Sequence, residues 1–396
     1  MILRALLVTS LVLGGATSPA RAQQASAAEV VVPNVAFPTG IVFASDGTMY
    51  FAERAGRLRV VRDGRLDPDP VMTAETTTTG ETGFLGLALS PADGDLYVFA
   101  TEPSGSSNSV LRVSPEGGEP EAVVRGLPGG GYHNGGGVAF DASGRELFVS
   151  NGEIHDSGRS QDPASLGGKV YRFSPDGDPI ADNPFGADSA TYALGLRNPY
   201  GLAIDPISTD PFVTENGPSS NDEVNHIRAG GNYGWPAVQG TVGDVGDAEA
   251  TFEGRYFDPL LDYPEIIVPT GITFADPRNA APAYAGDLFF GAYGERSIHR
   301  VRLDEDRQVV SDTVFVQETE PVIAVAWGPR GLYYSTPGAI KLLPLARGEP
   351  SAAPPFSPGT ETDDSGLRLD RIAVALAAVV AIAGVAWFWR RKRQQA

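Results

Sequence analysis

Short apolar and aromatic runs recur along the chain in six sets of three, and this pattern predicts repeated β-structure. In each set the middle run is aromatic and β-branched, and most middle runs follow a turn that contains glycine. The run before it is apolar and often begins with glycine, as in Gly40–Phe43, whereas the run after it is more polar, as in Leu58–Val61. The middle runs are Thr48–Phe51, Asp95–Val98, Glu146–Val149, Pro211–Thr214, Asp287–Phe290 and Gly331–Tyr334.

Six similar sets favour an all-β fold, a six-bladed β-propeller over residues 23–346. Inner strands crowd around an axis and need small residues, outer strands face water, and radial repetition avoids long exposed sheet edges. A β-sandwich is the alternative, but it does not account for six similar sets. The longest insertions, 152–167 and 232–269, fall between the third and fifth sets. Loops at one end of such a scaffold commonly build the functional site.

The two ends of the chain differ from this pattern. Residues 1–22 combine Arg4, an apolar run and Ala20-Arg21-Ala22, which predicts a secretory signal peptide. Residues 372–389 carry no charge and would form about 27 Å of helix, close to the thickness of a bilayer core. The basic tail 390–396 predicts a transmembrane helix with the propeller on the extracytoplasmic side. A sorting tail that is later cleaved would have the same pattern. Residues 347–371 are rich in Pro, Ser and acidic residues, as in a flexible stalk.

The charge of the chain excludes several functions. There are 30 Lys and Arg against 49 Asp and Glu, a net charge of −19. All the acidic residues lie between the two ends, where 24 basic residues oppose them, so this part carries −25. Such a field repels nucleic acid, and we therefore expect no nucleic-acid partner. The chain has no cysteine, which excludes disulfides, thiolate metal sites and cysteine nucleophiles.

His133 is the leading candidate for acid–base chemistry among the four histidines. It lies in the glycine-rich segment 129–137, at the entry to the third inner strand, where glycines allow a ligand close to the backbone. A histidine there is either a general base at neutral pH or a hydrogen-bonding residue of a turn. His226 and His299 fall in predicted outer strands and are expected at the surface. His155 is expected in a solvated loop, with a position at the rim of the site as the alternative.

The segment 194–236 contains the densest cluster of polar motifs. Arg197 and Asn198 suit an anionic or carbonyl-bearing ligand, and the carbonyls of Gly217 and Pro218 suit a hard cation. The alternatives are a salt bridge at a blade junction for the first pair and a tight turn for the second. The acidic residues Asp222 and Glu223 are equally consistent with calcium ligands and with a solvated pair.

These motifs, together with Glu81–Ala88, resemble the glucose/sorbosone dehydrogenase family of soluble sugar dehydrogenases, which use pyrroloquinoline quinone and calcium. The resemblance implies that His133 removes the proton of the anomeric hydroxyl while hydride passes to the quinone. It also implies site roles for other residues: quinone contacts by Arg197, Asn198 and Tyr200, calcium binding by Gly217, Pro218, Asp222 and Glu223, and sugar contacts by Glu81 and Tyr132.

The resemblance fails at three positions that carry cations in the family. A Lys in blade five is replaced by Gly294, and two Arg near the start of blade six are replaced by Pro321 and Ile323. Arg296 lies two residues from the first of these and is the expected substitute. Because each charge-assisted hydrogen bond contributes about 1.5–3 kcal/mol, we expect weakened quinone binding.

Three functions follow from these patterns. The leading hypothesis is a membrane-tethered, extracytoplasmic quinoprotein sugar dehydrogenase that passes electrons to a respiratory or membrane acceptor. The second is a non-catalytic propeller that binds carbohydrate or protein at the cell surface, which the missing cations favour. The third is a calcium-dependent lactonase built on Glu81, Asn151 and Asn198.

Overall fold

The computed structural model describes residues 28–241 and 255–348, which form an all-β propeller. The strands form six sheets, and each predicted set of three runs falls in a sheet of its own. The predicted signal peptide 1–22, the stalk from residue 349, the helix 372–389 and the tail 390–396 lie outside the described residues. In the described part of the chain, no helix is long and apolar enough to cross a membrane.

The first half of the chain forms three sheets. Strand β1 (Glu29–Pro33) belongs to the last sheet. The first sheet contains β2 (Pro38–Phe43), β3 (Met49–Glu53), β4 (Arg57–Arg62), β5 (Arg65–Leu66) and β6 (Met72–Thr73). The second contains β7 (Phe84–Leu89), β8 (Leu96–Thr101), β9 (Ser107–Val113) and β10 (Glu121–Pro128). The third contains β11 (Val138–Phe140), β12 (Leu147–Asn151), β13 (Lys169–Phe173) and β14 (Thr191–Leu194), with the short helix α1 (Gly158–Gln161) between its second and third strands.

The second half completes the ring. The fourth sheet contains β15 (Pro199–Ile204), β16 (Pro211–Glu215) and β17 (Asp222–His226). Strands β18 (Gly231–Asn232) and β19 (Arg255–Tyr256) return to the third sheet, and β20 (Leu261–Tyr263) completes the fourth. The fifth contains β21 (Pro269–Phe274), β22 (Leu288–Ala292), β23 (Ser297–Leu303) and β24 (Val309–Gln317). The sixth contains β25 (Val325–Gly328), β26 (Gly331–Thr336), β27 (Ala339–Pro344) and β1.

The ring closes between the sixth and first sheets. Strand β1 pairs antiparallel with β27, so the beginning of the described chain completes the last sheet. A hydrophobic cluster lies between each pair of neighbouring sheets, and one of them packs Phe51 of the first sheet with Ile340 of the sixth. The hydroxyl of Ser335 donates to the carbonyl of Pro38 at 2.8 Å across the same junction. Apolar burial between sheets therefore continues around the whole ring.

The inner strands touch their neighbours so closely that side chains do not fit at several positions. A Cβ at Gly40 would lie 2.7 Å from Cβ of Leu87 in the next sheet, and a Cβ at Gly137 would lie 2.5 Å from Cβ of Leu202. This confirms the expected crowding of inner strands and explains why glycine leads so many of them.

The prediction that third strands face water was wrong. A further strand covers them in several sheets, so residues on the third strand become internal. His226 and His299, expected at the surface, are only 9% and 5% exposed and stack on Phe212 and Phe290. Lys169 is fully buried.

Candidate active site

Residues from the third and fourth sheets converge on one cavity of about 220 Å³. Inner and middle strands run antiparallel, so the start of one and the end of the other lie at the same end of a sheet. These loops supply six of the lining residues, namely His133, Glu153, His155, Ser157, Arg197 and Pro218, and Trp235 comes from the segment between β18 and β19. Three residues singled out in the sequence, His133, Arg197 and Pro218, therefore share a cavity although they are distant along the chain.

His133 is held from two sides. Its Nδ1 lies 2.5 Å from Oε1 of Glu153, and its backbone N–H donates to Oε2 of Glu81 at 2.9 Å. The residue is 7% exposed and adopts a φ of 56°, which few residues other than glycine adopt. A carboxylate at Nδ1 stabilises the tautomer that carries its proton there and leaves Nε2 as an acceptor. This is the arrangement of a general base with an orienting carboxylate.

His155 covers one face of His133. The two rings stack with centroids 4.0 Å apart, and the ring of Tyr132 lies 5.5 Å from His155 on its other side. Burial and the neighbouring His133 lower the pKa of His155. His155 is exposed, as expected for a loop residue, but it also lines the cavity, and Tyr132 is 39% exposed beside it.

Arg197 contacts both the segment 216–217 and an aromatic ring. Its Nη1 donates to the carbonyls of Asn216 and Gly217 at 2.7 and 3.1 Å, and its guanidinium lies 5.5 Å from the ring centroid of Trp235. Burial lowers the pKa of Arg197, and nearby carboxylates, Glu215 first among them, oppose this shift. A guanidinium has five donors, so Arg197 retains donors for a ligand.

Asn198 connects the Arg197 turn to the His133 turn. Its Oδ1 accepts the N–H of Gly135 at 3.0 Å, and its Nδ2 lies 3.5 Å from Oε2 of Glu81. The same Glu81 oxygen accepts the N–H of His133. Glu81, Asn198 and His133 are thus joined at one carboxylate.

Glu215 holds the backbone of Arg197 and Asn198 through one carboxylate oxygen. Its Oε1 accepts the backbone N–H groups of Arg197 and Asn198 at 3.2 and 2.6 Å. Glu215 is 5% exposed, and burial raises its pKa well above the usual range. Its other oxygen, Oε2, has no hydrogen-bond partner among the described residues.

Asp222 shapes the turn at Gly217. Its Oδ1 accepts the N–H of Gly217 at 2.8 Å, and its Oδ2 accepts the N–H groups of Ile267 and Val268, each at 2.8 Å. Burial raises the pKa of Asp222, and the three N–H bonds oppose this. A Cβ at Gly217 would overlap the carbonyl oxygens of Ser220 and Asn221, so only glycine fits this turn. The oxygens of Asp222 are therefore engaged with backbone amides.

A second, smaller cavity of about 20 Å³ lies beside Arg197. It is lined by Glu215, Gly217, Glu223 and Trp235 among others, and Nε1 of Trp235, like Oε2 of Glu215, has no partner among the described residues. Burial raises the pKa of Glu223 to about 7. This volume suits one water or one ion. No group of three or more His, Cys, Asp or Glu able to hold a metal occurs within residues 28–241 and 255–348.

Tyr200 and Arg296 do not line the cavity that holds His133. Burial raises the pKa of Tyr200, Glu81 and Tyr293 add to this shift, and Arg54 opposes it. Arg296 is exposed and its Nη1 reaches the carbonyl of Thr319 at 3.5 Å.

The matching loops of the fifth and sixth sheets carry no cation at the three predicted positions. Gly294 lies between β22 and β23, where a Cβ would come 3.0 Å from the carbonyl oxygen of Ile267. Pro321 and Ile323 precede β25, and Ile323 is 1% exposed. The position of Ile323 is filled by packed apolar surface.

Sequence reasoning missed Glu153, Glu215 and Trp235. Glu153 and Glu215 lie at or just after the ends of middle strands, β12 and β16, where loops at the site begin. A carboxylate at or within two residues of the end of an aromatic and β-branched run was therefore the sequence signal that could have identified both residues. Trp235 lies in the segment 194–236, which the sequence analysis selected for other residues and not for this tryptophan.

Comparison with known proteins gives a consistent result. The sequence model of the Glucose / Sorbosone dehydrogenase family matches residues 35–339. An uncharacterised protein of the cyanobacterium Synechocystis is 31% identical over 340 residues, covering 77% of this chain and 82% of its relative. An aldose sugar dehydrogenase of Escherichia coli is 26% identical over 329 residues, 77% of this chain and 88% of the relative. The pyrroloquinoline quinone-bound aldose sugar dehydrogenase of Streptomyces coelicolor superimposes with a TM-score of 0.68 at 29% identity, over 79% of this chain and 95% of the other.

Proposed function

Because the chain belongs to the glucose/sorbosone dehydrogenase family, we propose that it oxidises an aldose with pyrroloquinoline quinone as hydride acceptor. Each of the six sheets is one blade of the propeller that carries this site. The observation that supports the proposal most strongly is the His133–Glu153 pair, which faces the same cavity as Arg197. A base, its orienting carboxylate and a cation are the groups that removal of a hydroxyl proton and a hydride requires.

The residues of the chain divide this chemistry between them. The quinone, when bound, supplies the oxidant that takes up the hydride from the sugar carbon. Nε2 of His133 accepts the hydroxyl proton, and Glu153 stabilises the imidazolium that forms, because its Oε1 lies 2.5 Å from Nδ1. Arg197 stabilises negative charge in the cavity. The stack of His155 on His133 shields one face of the base from water.

One side of the cavity suits a planar, anionic cofactor. Arg197 supplies a partly desolvated cation, Trp235 supplies an aromatic face, and the Nε1 of Trp235 is a buried donor without a partner among the described residues. The loops of the fifth and sixth sheets supply no cation at Gly294, Pro321 and Ile323. We therefore propose that the quinone binds through the third and fourth sheets, with weaker affinity than three further cations would give.

Calcium is proposed at the Gly217–Pro218 carbonyls. Glu215 and Glu223 line the adjoining small cavity. A hard cation there would satisfy the partnerless Oε2 of Glu215, whereas the two oxygens of Glu223 already accept hydrogen bonds from Gly240 and Asn225. The carbonyl of Gly217 already accepts a hydrogen bond from Arg197, so an ion on that oxygen competes with the guanidinium. Membrane anchoring through residues 372–389, export, and transfer of electrons to a membrane acceptor complete the proposal.

The full chain, purified in detergent and supplied with quinone and calcium, tests this directly. We expect aldose-dependent dye reduction that requires the quinone and is lost in His133→Ala. His299→Gln, at a histidine of the fifth sheet outside the cavity, is the matched control and should retain activity. Failure of the chain to bind quinone, seen as no retained cofactor absorbance, would refute the dehydrogenase.

A binding module is the second candidate, and the absence of a cation at positions 294, 321 and 323 favours it. It predicts carbohydrate binding that His133→Ala does not change, in a protein that takes up no quinone. The lactonase has less support, because the Oδ1 of Asn151 accepts a hydrogen bond from Asn108 at 3.1 Å and is not free for a metal. Hydrolysis of a lactone without quinone would favour it.

A further inference from the structure

Lys169 is a fully buried cation without a carboxylate partner. Its Nζ donates to the carbonyls of Arg159, Ser160 and Gly167 at 2.6, 3.1 and 2.7 Å. No carboxylate in the described parts of the chain lies within salt-bridge distance of it. An ammonium buried in this way is costly, so its location needs an explanation. Two of the three carbonyls belong to α1, and cations stabilise the carbonyl end of a helix.

Helix α1 is too short to be stable by itself. It lies against the segments that carry Glu153, Arg197 and Trp235, three residues that line the cavity of about 220 Å³. The carbonyl of Ser160 also accepts the N–H of Gly195, and its hydroxyl donates to the carbonyl of Leu196, both directly before Arg197. The Nε2 of Gln161 donates to the carbonyl of Trp235 at 2.7 Å.

The loop that carries Glu153 is attached to the same elements. The N–H of Glu153 donates to the carbonyl of Arg197 at 2.9 Å. Gly167, which accepts from Lys169, lies so close to the loop that a Cβ would come 3.4 Å from Cα of Glu153 and 2.8 Å from Cδ of Arg159. Displacing α1 would therefore move the Glu153 loop, the Arg197 turn and the Trp235 segment together.

We propose that Lys169 is a positioning residue of the active site, whose ammonium fixes α1 and thereby sets the relative placement of Glu153, Arg197 and Trp235. The inference rests on the proposed function only in taking the large cavity as the active site. Burial lowers the pKa of Lys169 to about 7, and the nearby Asp162 opposes this shift. Three carbonyl dipoles also favour the charged form.

Hydrogen exchange of the full chain, without quinone or sugar, tests the proposal. In Lys169→Met we expect amides of residues 153–161 and 231–236 to exchange about tenfold faster or more, because hydrogen bonds to a charged group are lost. Amides of β12 and β16 should keep their protection. Lys169→Arg, which keeps the charge, should restore protection at least in part, and Lys341→Met, at a lysine paired with Glu318 in a different sheet, should behave as the unchanged protein.

The outcomes separate this inference from the proposed function. Unchanged exchange at 153–161 in Lys169→Met, or equal loss of protection in all six sheets, overturns the positioning role. If Lys169→Met does not fold, Lys169→Gln, which keeps donors for two of the carbonyls, is measured in its place with the same expectations. The exchange measurement needs no quinone, so failure of the unchanged protein to reduce dye refutes the dehydrogenase and not the role of Lys169. Where activity is present, the variant should lose kcat more than it raises KM.

Discussion

The two halves of the site-bearing end of this propeller are built differently. In the third and fourth sheets, two buried carboxylates position the residues of the site. Glu153 orients His133, and Glu215 accepts a hydrogen bond from the backbone of Arg197. In the fifth and sixth sheets, the corresponding loops present Gly294 and the buried Ile323. The third and fourth sheets, called here the complete half, thus contain all the groups to which the proposed function assigns proton transfer. The fifth and sixth sheets, the incomplete half, lack cations at positions 294, 321 and 323. The difference indicates that the catalytic arrangement and cofactor affinity can be separated in this chain.

Of all the substitutions in the complete half, removal of the proposed base His133 should lower activity the most. We expect His133→Gln to lower kcat about 10²–10⁴-fold, the usual contribution of a general base. Glu153→Gln keeps an oxygen near Nδ1 but removes the charge that stabilises the imidazolium, so its loss should be smaller and should fall on kcat. Steady-state dye reduction with one aldose measures both. Activity in His133→Gln equal to that of the unchanged protein would place the base elsewhere.

Restoring cations to the incomplete half should sharpen the contrast. Gly294→Lys and Pro321→Arg are each expected to tighten quinone binding about 10–100-fold, since a charge-assisted hydrogen bond contributes about 1.5–3 kcal/mol. The lysine must displace its surroundings slightly, because a Cβ at position 294 lies 3.0 Å from the carbonyl oxygen of Ile267. Titration of the quinone by tryptophan quenching gives the Kd.

Gly294→Gln is the matched control for the lysine, with a similar length and no charge. If the glutamine lowers the Kd for the quinone as much as the lysine does, contact area and not charge limits binding. No tightening by either cation would show that the quinone does not reach the fifth and sixth sheets.

The repeat pattern was sufficient to predict the sheets, because glycines recur where inner strands of neighbouring sheets touch, and aromatic residues recur in the middle strands that pack between sheets. It did not predict the fourth strands, such as β24, in which no residue is fully buried. That omission made His226 and His299 look like surface residues, although both are buried.

The site was predictable where residues suited to ligand binding are adjacent in the sequence, as Arg197 and Asn198 are. His133 and Glu153 are 20 residues apart and meet through the geometry of two loops. Nothing in a single sequence marks such a pair. The role of Lys169 depends on three carbonyls of an insertion, which only coordinates reveal.

Enlarging Gly217 tests how rigid the complete half is. We expect Gly217→Ala to destabilise the fold by roughly 1–3 kcal/mol, because its Cβ would overlap the carbonyls of Ser220 and Asn221. Denaturant unfolding measures the change. Gly338→Ala is the steric control, since a Cβ there meets nothing within 4 Å and its φ lies outside the left-handed region. Equal destabilisation by both would show that the turn at 217 tolerates a side chain.

The incomplete half has its own histidine–carboxylate cluster, which should affect stability and not catalysis. Burial lowers the pKa of His299, but hydrogen bonds with Asp312 and Glu295 raise it, and the net shift is upward. A histidine whose folded pKa exceeds its unfolded value stabilises the fold fully below the unfolded pKa, about 6.5, and this contribution is lost as the pH rises through the folded pKa. We therefore expect unfolding free energy to fall as the pH rises above about 6.5, and the fall to be shallower in His299→Gln. The variant should reduce dye at the unchanged rate at pH 6, where His133→Gln does not. A pH dependence identical in His299→Gln and the unchanged protein would assign the slope to other groups and leave the fifth-sheet cluster without a role in stability.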